Sequence, residues 1–271
     1  MNEDTTVIEA LLRRERFIVV AGLVLITALA WWWVATGAGT GMNTLAMSTW
    51  QFPPPISHSM IETWTPGYAL VMFSMWWIMM IAMMTPSASP MVLLYGRAYR
   101  HEQRQKKLPA GVVPTFAFLL GYLLVWGFFA ALATGLQWGF ERAGLIHQMV
   151  MWSINPLFTA VILIAAGLYQ ITPLKTACLE HCRSPAQFLS QNFQPGLGDA
   201  LLLGWKHGLY CLGCCWFLMA LLFAGGVMNL VWIAGLAIHV LIEKIVPKGE
   251  VVARIAGISM LVVGLLVAVG L

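Results

Sequence analysis

The sequence predicts an all-α, polytopic membrane helix bundle of about seven transmembrane helices, N-terminus inside and C-terminus outside. Three observations predict it. Of 271 residues, 60% are hydrophobic and only 10% charged, against roughly 25% charged in ordinary soluble domains. The mean hydropathy is +0.80. The few charges leave long gaps, for no Asp, Glu, Lys or Arg occurs in 17–61, 63–96, 108–140, 143–174, 207–242 or 255–271. This excludes a soluble enzyme, a disordered chain and a secreted disulfide scaffold. The runs are continuously apolar, whereas a membrane barrel alternates apolar and polar residues in short segments.

A crossing helix needs about 20 apolar residues, which gives spans near 17–37, 67–86, 112–136, 154–172, 199–224, 227–246 and 253–271. The first span is too long for a typical signal core and lacks a clear small-residue cleavage site after it, so it reads as an uncleaved anchor. The loop 38–66 carries Pro53-Pro54-Pro55, with Trp50 and Trp64 suited to the interfacial belt. After the second span, Arg97–Lys107 reads as a basic cytoplasmic loop in contact with lipid, with His101 as solvated surface. The connection 173–198 holds Pro173, Pro185 and Pro195, and Leu174–Arg183 between them suits a short interfacial helix. Gly204 and Gly208 form a GxxxG step in the fifth span, where helix backbones can approach closely. Gly225-Gly226 interrupts the long run 207–242, so a tight helical hairpin is expected there.

Direction follows from the basic residues. With the N-terminus inside, Arg13, Arg14, Arg16, Arg97, Arg100, Arg104, Lys106, Lys107, Lys175, Arg183, Lys244, Lys248 and Arg254 are all inner, and Arg142 alone is outer. Lys206 is left at the edge of the fifth span, where it either pairs with Glu243 or snorkels to the interface. The net charge of +4 thus reflects inner loops and gives no sign of nucleic-acid binding. The chain reads as a single integral domain of a bacterial inner membrane, its first partner the lipid bilayer.

The chemistry gathers in the last hundred residues, which hold all five cysteines. Cys178, His181 and Cys182 share one face if their segment is helical. His207, Cys211 and Cys214 recur at i, i+4 and i+7, with Cys215 adjoining. Thiolate and imidazole on one face suit copper or zinc. The opposing reading is that of small buried hydrophobes. His239 and Glu243 stand at i, i+4 on the sixth span, with His239 expected at the depth of His207. The second span is dense in methionine: Met72, Met75, Met79, Met80, Met83 and Met84. Thioether is a soft ligand for Cu(I), and equally an adaptable packing group. His58 and Met60, and His147, Met149 and Met151, offer weaker soft-metal patterns on the outer side, with Met42 and Met47 nearby. No phosphate-binding glycine loop, nucleophile elbow or HExxH pair is present.

Several stretches together resemble a bacterial family of predicted metal-binding integral membrane proteins, a domain of unknown function. They are Met80-Ile81-Ala82-Met83-Met84-Thr85-Pro86 with Pro90, Tyr169–Pro185, Gly204–Met219, Gly226–Trp232 and Glu243-Lys244. The resemblance covers about residues 67–246. It implies several membrane helices and a metal site on Cys178, Cys182, His207, Cys211, Cys214, Cys215 and Glu243, with Met80, Met83 and Met84 in the shared pattern.

These observations lead to an inner-membrane protein binding a soft metal, copper first and zinc second, for transport or for delivery to a cuproenzyme. Metal would pass from the outer Met/His groups, along the second-span methionines, to the Cys/His cluster. Two other readings share the residues. One is a metal-containing membrane oxidoreductase or its accessory subunit. The other is a structural subunit of a larger membrane complex with packing cysteines.

Overall fold

The computed structural model describes residues 3–40, 44, 48, 64–105, 113–148 and 151–270, with side chains in the first helix only from Arg16. These residues are almost wholly α-helical. They include no strand, only an isolated antiparallel bridge between Ile146 and Ser153. The first four helices are α1 (Glu3–Ala35), α2 (Pro66–Arg104), α3 (Thr115–Arg142) and α4 (Pro156–Gln170). The short α5 (Pro173–Arg183) and α6 (Pro185–Asn192) follow. Then come α7 (Leu197–Ala220), α8 (Leu222–Gly225), α9 (Leu230–Ile245) and α10 (Gly249–Ala268).

Local chemistry sets the starts of these helices. Thr65, Asn155 and Thr172 each cap a helix by accepting a backbone N–H through the side chain, and each is followed by proline at the first helical position. That pairing satisfies one orphan donor and removes another. Asn229 caps α9 in the same way, without a proline. Gly226, at φ +102°, makes the turn before α9, as the Gly225-Gly226 pair predicted. A Cβ on Gly225 would overlap the Trp232 ring, so this hairpin also depends on a missing side chain.

Five helical stretches are long and apolar enough to cross a membrane: Arg16–Ala35, Pro66–Arg104, Thr115–Arg142, Leu197–Gly225 and Gly249–Ala268. The bent pair α4 and α5, at 64° to one another, would make a sixth as one broken span. The expected count of seven is therefore not met by length. α4 has 15 residues and α9 has 16, short of the about 20 that a hydrocarbon core of about 30 Å requires. Thr172-Pro173 starts a new helix in a new direction and so cuts α4 off.

The second expected span departs the other way. It does not end at Pro86; α2 runs unbroken for 39 residues with Pro86 and Pro90 inside. A proline in a helix frees a carbonyl, and nearby hydroxyls can restore partners. The carbonyls freed here are those of Ala82 and Pro86, while the hydroxyls of Ser87, Ser89 and Tyr122 donate to the neighbouring carbonyls of Met84 and Thr85. The segment expected as a basic loop is consequently helical as far as Arg104, while Lys106 and Lys107 lie outside the described residues.

The bundle centre is the crossing of α3 on α7. A Cβ on Gly204 would overlap the Phe118 carbonyl, and one on Gly121 the Leu201 carbonyl. A Cβ on Gly208 would meet Val125 Cγ2 at 2.8 Å. The GxxxG step thus brings two backbones together, as expected of small residues at a helix crossing. Large apolar side chains such as Phe17, Leu70, Phe128 and Leu157 remain exposed on the outer faces.

Candidate metal centre

α5 is helical, so Cys178 and Cys182 do share its inner face, and that face lies on α7. Cys178 Sγ sits against Gly213, where a Cβ would come within 2.9 Å of it. Cys182 reaches further, toward the thiols of Cys211 and Cys214. Cys215 contacts those two thiols from its own helix. All five cysteines are free thiols, and Cys211, Cys214 and Cys215 are fully buried.

Cys211 is the hub. Lys244 Nζ donates to its sulfur at 3.0 Å and to Ser87 Oγ at 3.0 Å. The Tyr122 hydroxyl lies 3.1 Å from the same sulfur and 3.3 Å from the Met84 carbonyl. Residues from α3 and α9 therefore meet at one thiol of α7, with Ser87 and the Met84 carbonyl of α2 one bond further out. Cys214 and Cys215 each donate the S–H to the Cys211 carbonyl as well, at 3.1 and 2.9 Å. Such back-bonding lays a small polar side chain along its own helix. Among the described residues no group of three or more His, Cys, Asp or Glu side chains is arranged to hold a metal ion.

His207 is buried one turn before Cys211, inside an aromatic box of Phe118, Tyr122 and Phe188. Its Nδ1 is buried with no hydrogen-bond partner. A buried nitrogen with nothing to bond is costly, and such an atom beside a thiol suits a soft cation. His181 behaves differently. Its ring stacks flat on Tyr210 at 4.2 Å, and its Nδ1 lies 2.8 Å from the Ala177 carbonyl.

Glu243 and His239 belong to a second cluster. Glu243 takes a salt bridge from Lys175 at 2.7 Å, a hydrogen bond from Gln170 at 2.7 Å and a contact from His239 at 3.0 Å. Lys175 also donates to the Cys214 carbonyl at 2.6 Å. The expected pairing of Glu243 with Lys206 is thus corrected. Lys206 is exposed, and the buried partner comes from α5, whose fold across α7 and α9 brings Lys175 inward. Likewise, His239 faces Gln170 and Glu243, apart from the aromatic box that holds His207.

Met80, Met83 and Met84 are all buried in the core face of α2, and the Met84 backbone carbonyl shares the Tyr122 hydroxyl with Cys211. His58, Met60, Met42, Met47 and Met149 lie outside the described residues. His147 is described, and Met151 is fully buried rather than open to the surface.

Sequence reasoning had not singled out Lys175, Tyr122 or Ser87, and it treated Lys244 as an interfacial lysine. Two of these left a signal. Lys175 stands at i−3 and i−7 from Cys178 and Cys182, on their stripe. Tyr122 is a hydroxyl within an apolar span.

A family model described as PpoB2, copper chaperone, matches residues 73–267. The chain belongs to this copper chaperone family. The matched stretch runs from α2 to α10 and so contains every cysteine, Tyr122, Lys175, Glu243 and Lys244. No curated protein and no solved structure is significantly similar to the chain.

Proposed function

We propose that the protein is an inner-membrane chaperone that takes Cu(I) as cargo on Cys182 and Cys211, with Cys214 and His207 adjacent, and hands it to a cuproenzyme. The observation that carries this is the meeting of a thiol from α5 with thiols from α7 beside the Lys244 ammonium. Cu(I) favours soft thiolates, and a thiolate pair suffices to hold it. Two bound thiolates leave net negative charge on the complex, and Lys244 stands where that charge would develop.

A site of few donors fits a carrier, because cargo held by a pair of thiolates can pass to an incoming pair by exchange. Structural zinc instead asks for a closed tetrahedral set, which the described side chains do not gather. In this reading α4 and α9 are short crossings, which keeps the thirteen-to-one distribution of basic charge and an inner N-terminus. The exposed apolar faces of the long helices support the bilayer as the surrounding phase. Met83 and Met84 would line the approach along α2.

The test is Cu(I) titration of the purified full chain against a colorimetric chelator, wild type beside Cys182→Ser and Cys211→Ser. Tight binding that both substitutions abolish is the expected result. Wild type that never outcompetes the chelator, or variants that bind as well as wild type, would overturn the reading.

A further inference from the structure

We propose that a cleft between α1, α2 and the start of α3 binds one anionic phospholipid, phosphate on its arginines and acyl chain on its apolar wall. The proposal rests on the membrane reading above but not on copper. The cleft encloses about 580 Å³. At one end stand Arg97, Arg100, His101 and Arg104 of α2 and Arg16 of α1. The four α2 residues fall at i, i+3, i+4 and i+7, a single helical stripe, and this is possible only because α2 continues past its prolines as helix. No carboxylate is among the described residues that line the cleft.

The other end is apolar. Val19, Leu93 and Phe116 line it, and the Phe116 ring is half exposed. Gly96 lies between the two ends, close enough to α3 that a Cβ would touch Thr115 Oγ1 at 3.4 Å. A side chain there would narrow the passage from the basic end to the apolar one. Arg100 is braced by Gln103, donating to its Oε1 at 2.8 Å, which presents the guanidinium in a fixed position.

The ligand chemistry follows from this lining. Guanidinium groups recognise phosphate oxygens in bidentate fashion. Basic pockets at helix ends on the inner face bind anionic headgroups, with about 1 kcal/mol per basic residue. A free phosphate would use the arginines and leave the apolar wall wet. A phospholipid uses both ends. The bound lipid would also join α1 to the α2–α3 pair along a seam where α1 itself buries few side chains.

Native mass spectrometry of the detergent-purified full chain tests this, with phosphatidylglycerol, phosphatidylcholine of the same acyl chains, and inorganic phosphate as competitor. Phosphatidylglycerol should be retained with at least about tenfold preference. That preference should vanish in an Arg97→Gln/Arg100→Gln/Arg104→Gln variant whose Cu(I) loading is unchanged. Equal retention of the two lipids, or an unaltered preference in the variant, would overturn the proposal. Displacement of the lipid by millimolar inorganic phosphate would overturn it too, in favour of a free anion site. If the triple variant is not monodisperse, Arg104→Gln alone decides, because that side chain is exposed and its loss must weaken the preference. Recovery of the wild-type chain without detergent would instead defeat the membrane reading itself.

Discussion

Glu243 and Lys244 are neighbours on α9, yet they enter opposite environments. Glu243 turns to α4 and α5, where Lys175, Gln170 and His239 satisfy its carboxylate from three sides. Lys244 turns to α2 and α7, where its ammonium meets a serine hydroxyl and a thiol and, among the described residues, no carboxylate. The first cluster is complete as a structural ion pair. The second has a cation in place and, among the described residues, lacks a matching carboxylate, a place that the proposed copper dithiolate would fill. The difference teaches that charge saturation separates a fastening from a candidate site, although the two charges are adjacent on α9.

The largest expected effect falls on the fastening. Glu243→Gln leaves Lys175 buried without its counter-ion, and breaking a buried pair in this way costs about 3 kcal/mol. The unfolding temperature in detergent should fall clearly, while Cu(I) bound per folded molecule stays constant. A variant as stable as wild type would remove the distinction between the two clusters.

Next comes the site. Cys211→Ser should reduce Cu(I) affinity by at least about 100-fold, beyond the 10–100-fold typical of losing a group outside the ligand shell. Stability should change little, because serine is the nearest polar match to cysteine and its hydroxyl is still able to bond a shifted Tyr122. The two substitutions thus move opposite readouts. If Cys211→Ser unfolded the protein and left copper binding intact, the thiols would be packing residues.

Lys244→Gln tests the unmatched cation. We expect Cu(I) affinity to fall by about tenfold, as for an outer-shell partner, with Lys244→Arg recovering most of it. Stability should hold or rise, since a half-buried charge without a carboxylate is itself costly. An unchanged affinity in chelator competition would show that the ammonium serves only to fill space.

How far the sequence reveals these clusters depends on the range of each interaction. Helix starts are local, and Thr65-Pro66, Asn155-Pro156 and Thr172-Pro173 announce them directly. The close crossing at Gly204 and Gly208 is legible because only small residues allow it. The cysteine stripe on α7 is legible from its period. Which lysine faces Glu243 is not, for Lys206 and Lys175 are both plausible by depth, and only the fold of α5 across α7 decides. The continuation of α2 beyond Pro86 is hidden for a similar reason. Proline usually breaks a helix, and the packing of α2 on α1 and α3 that accompanies its continuation comes from distant parts of the chain. The site is therefore partly written in sequence as sulfur and partly built in space by Tyr122, Ser87 and Lys244.

The smallest effect concerns the methionines, the second reservoir of soft sulfur. Met80, Met83 and Met84 are as buried as the cysteines, but the nearest fixed cation lies beside Cys211. Thioethers carry no charge to be balanced, so a dry apolar setting suits them either as packing or as a weak approach for Cu(I). Leucine matches methionine in volume, and such swaps cost less than about 1.5 kcal/mol. Met84→Leu should therefore leave the fold intact and weaken Cu(I) binding only a few-fold, because it removes one soft thioether and keeps the backbone carbonyl that Tyr122 bonds. Met80→Leu should change neither equilibrium affinity nor stability measurably. If Met80→Leu slows copper loading in stopped-flow while the endpoint is unchanged, the stack is a path. If Met84→Leu matches the loss seen for Cys211→Ser, a thioether is a ligand of equal rank, and charge saturation alone does not mark the site.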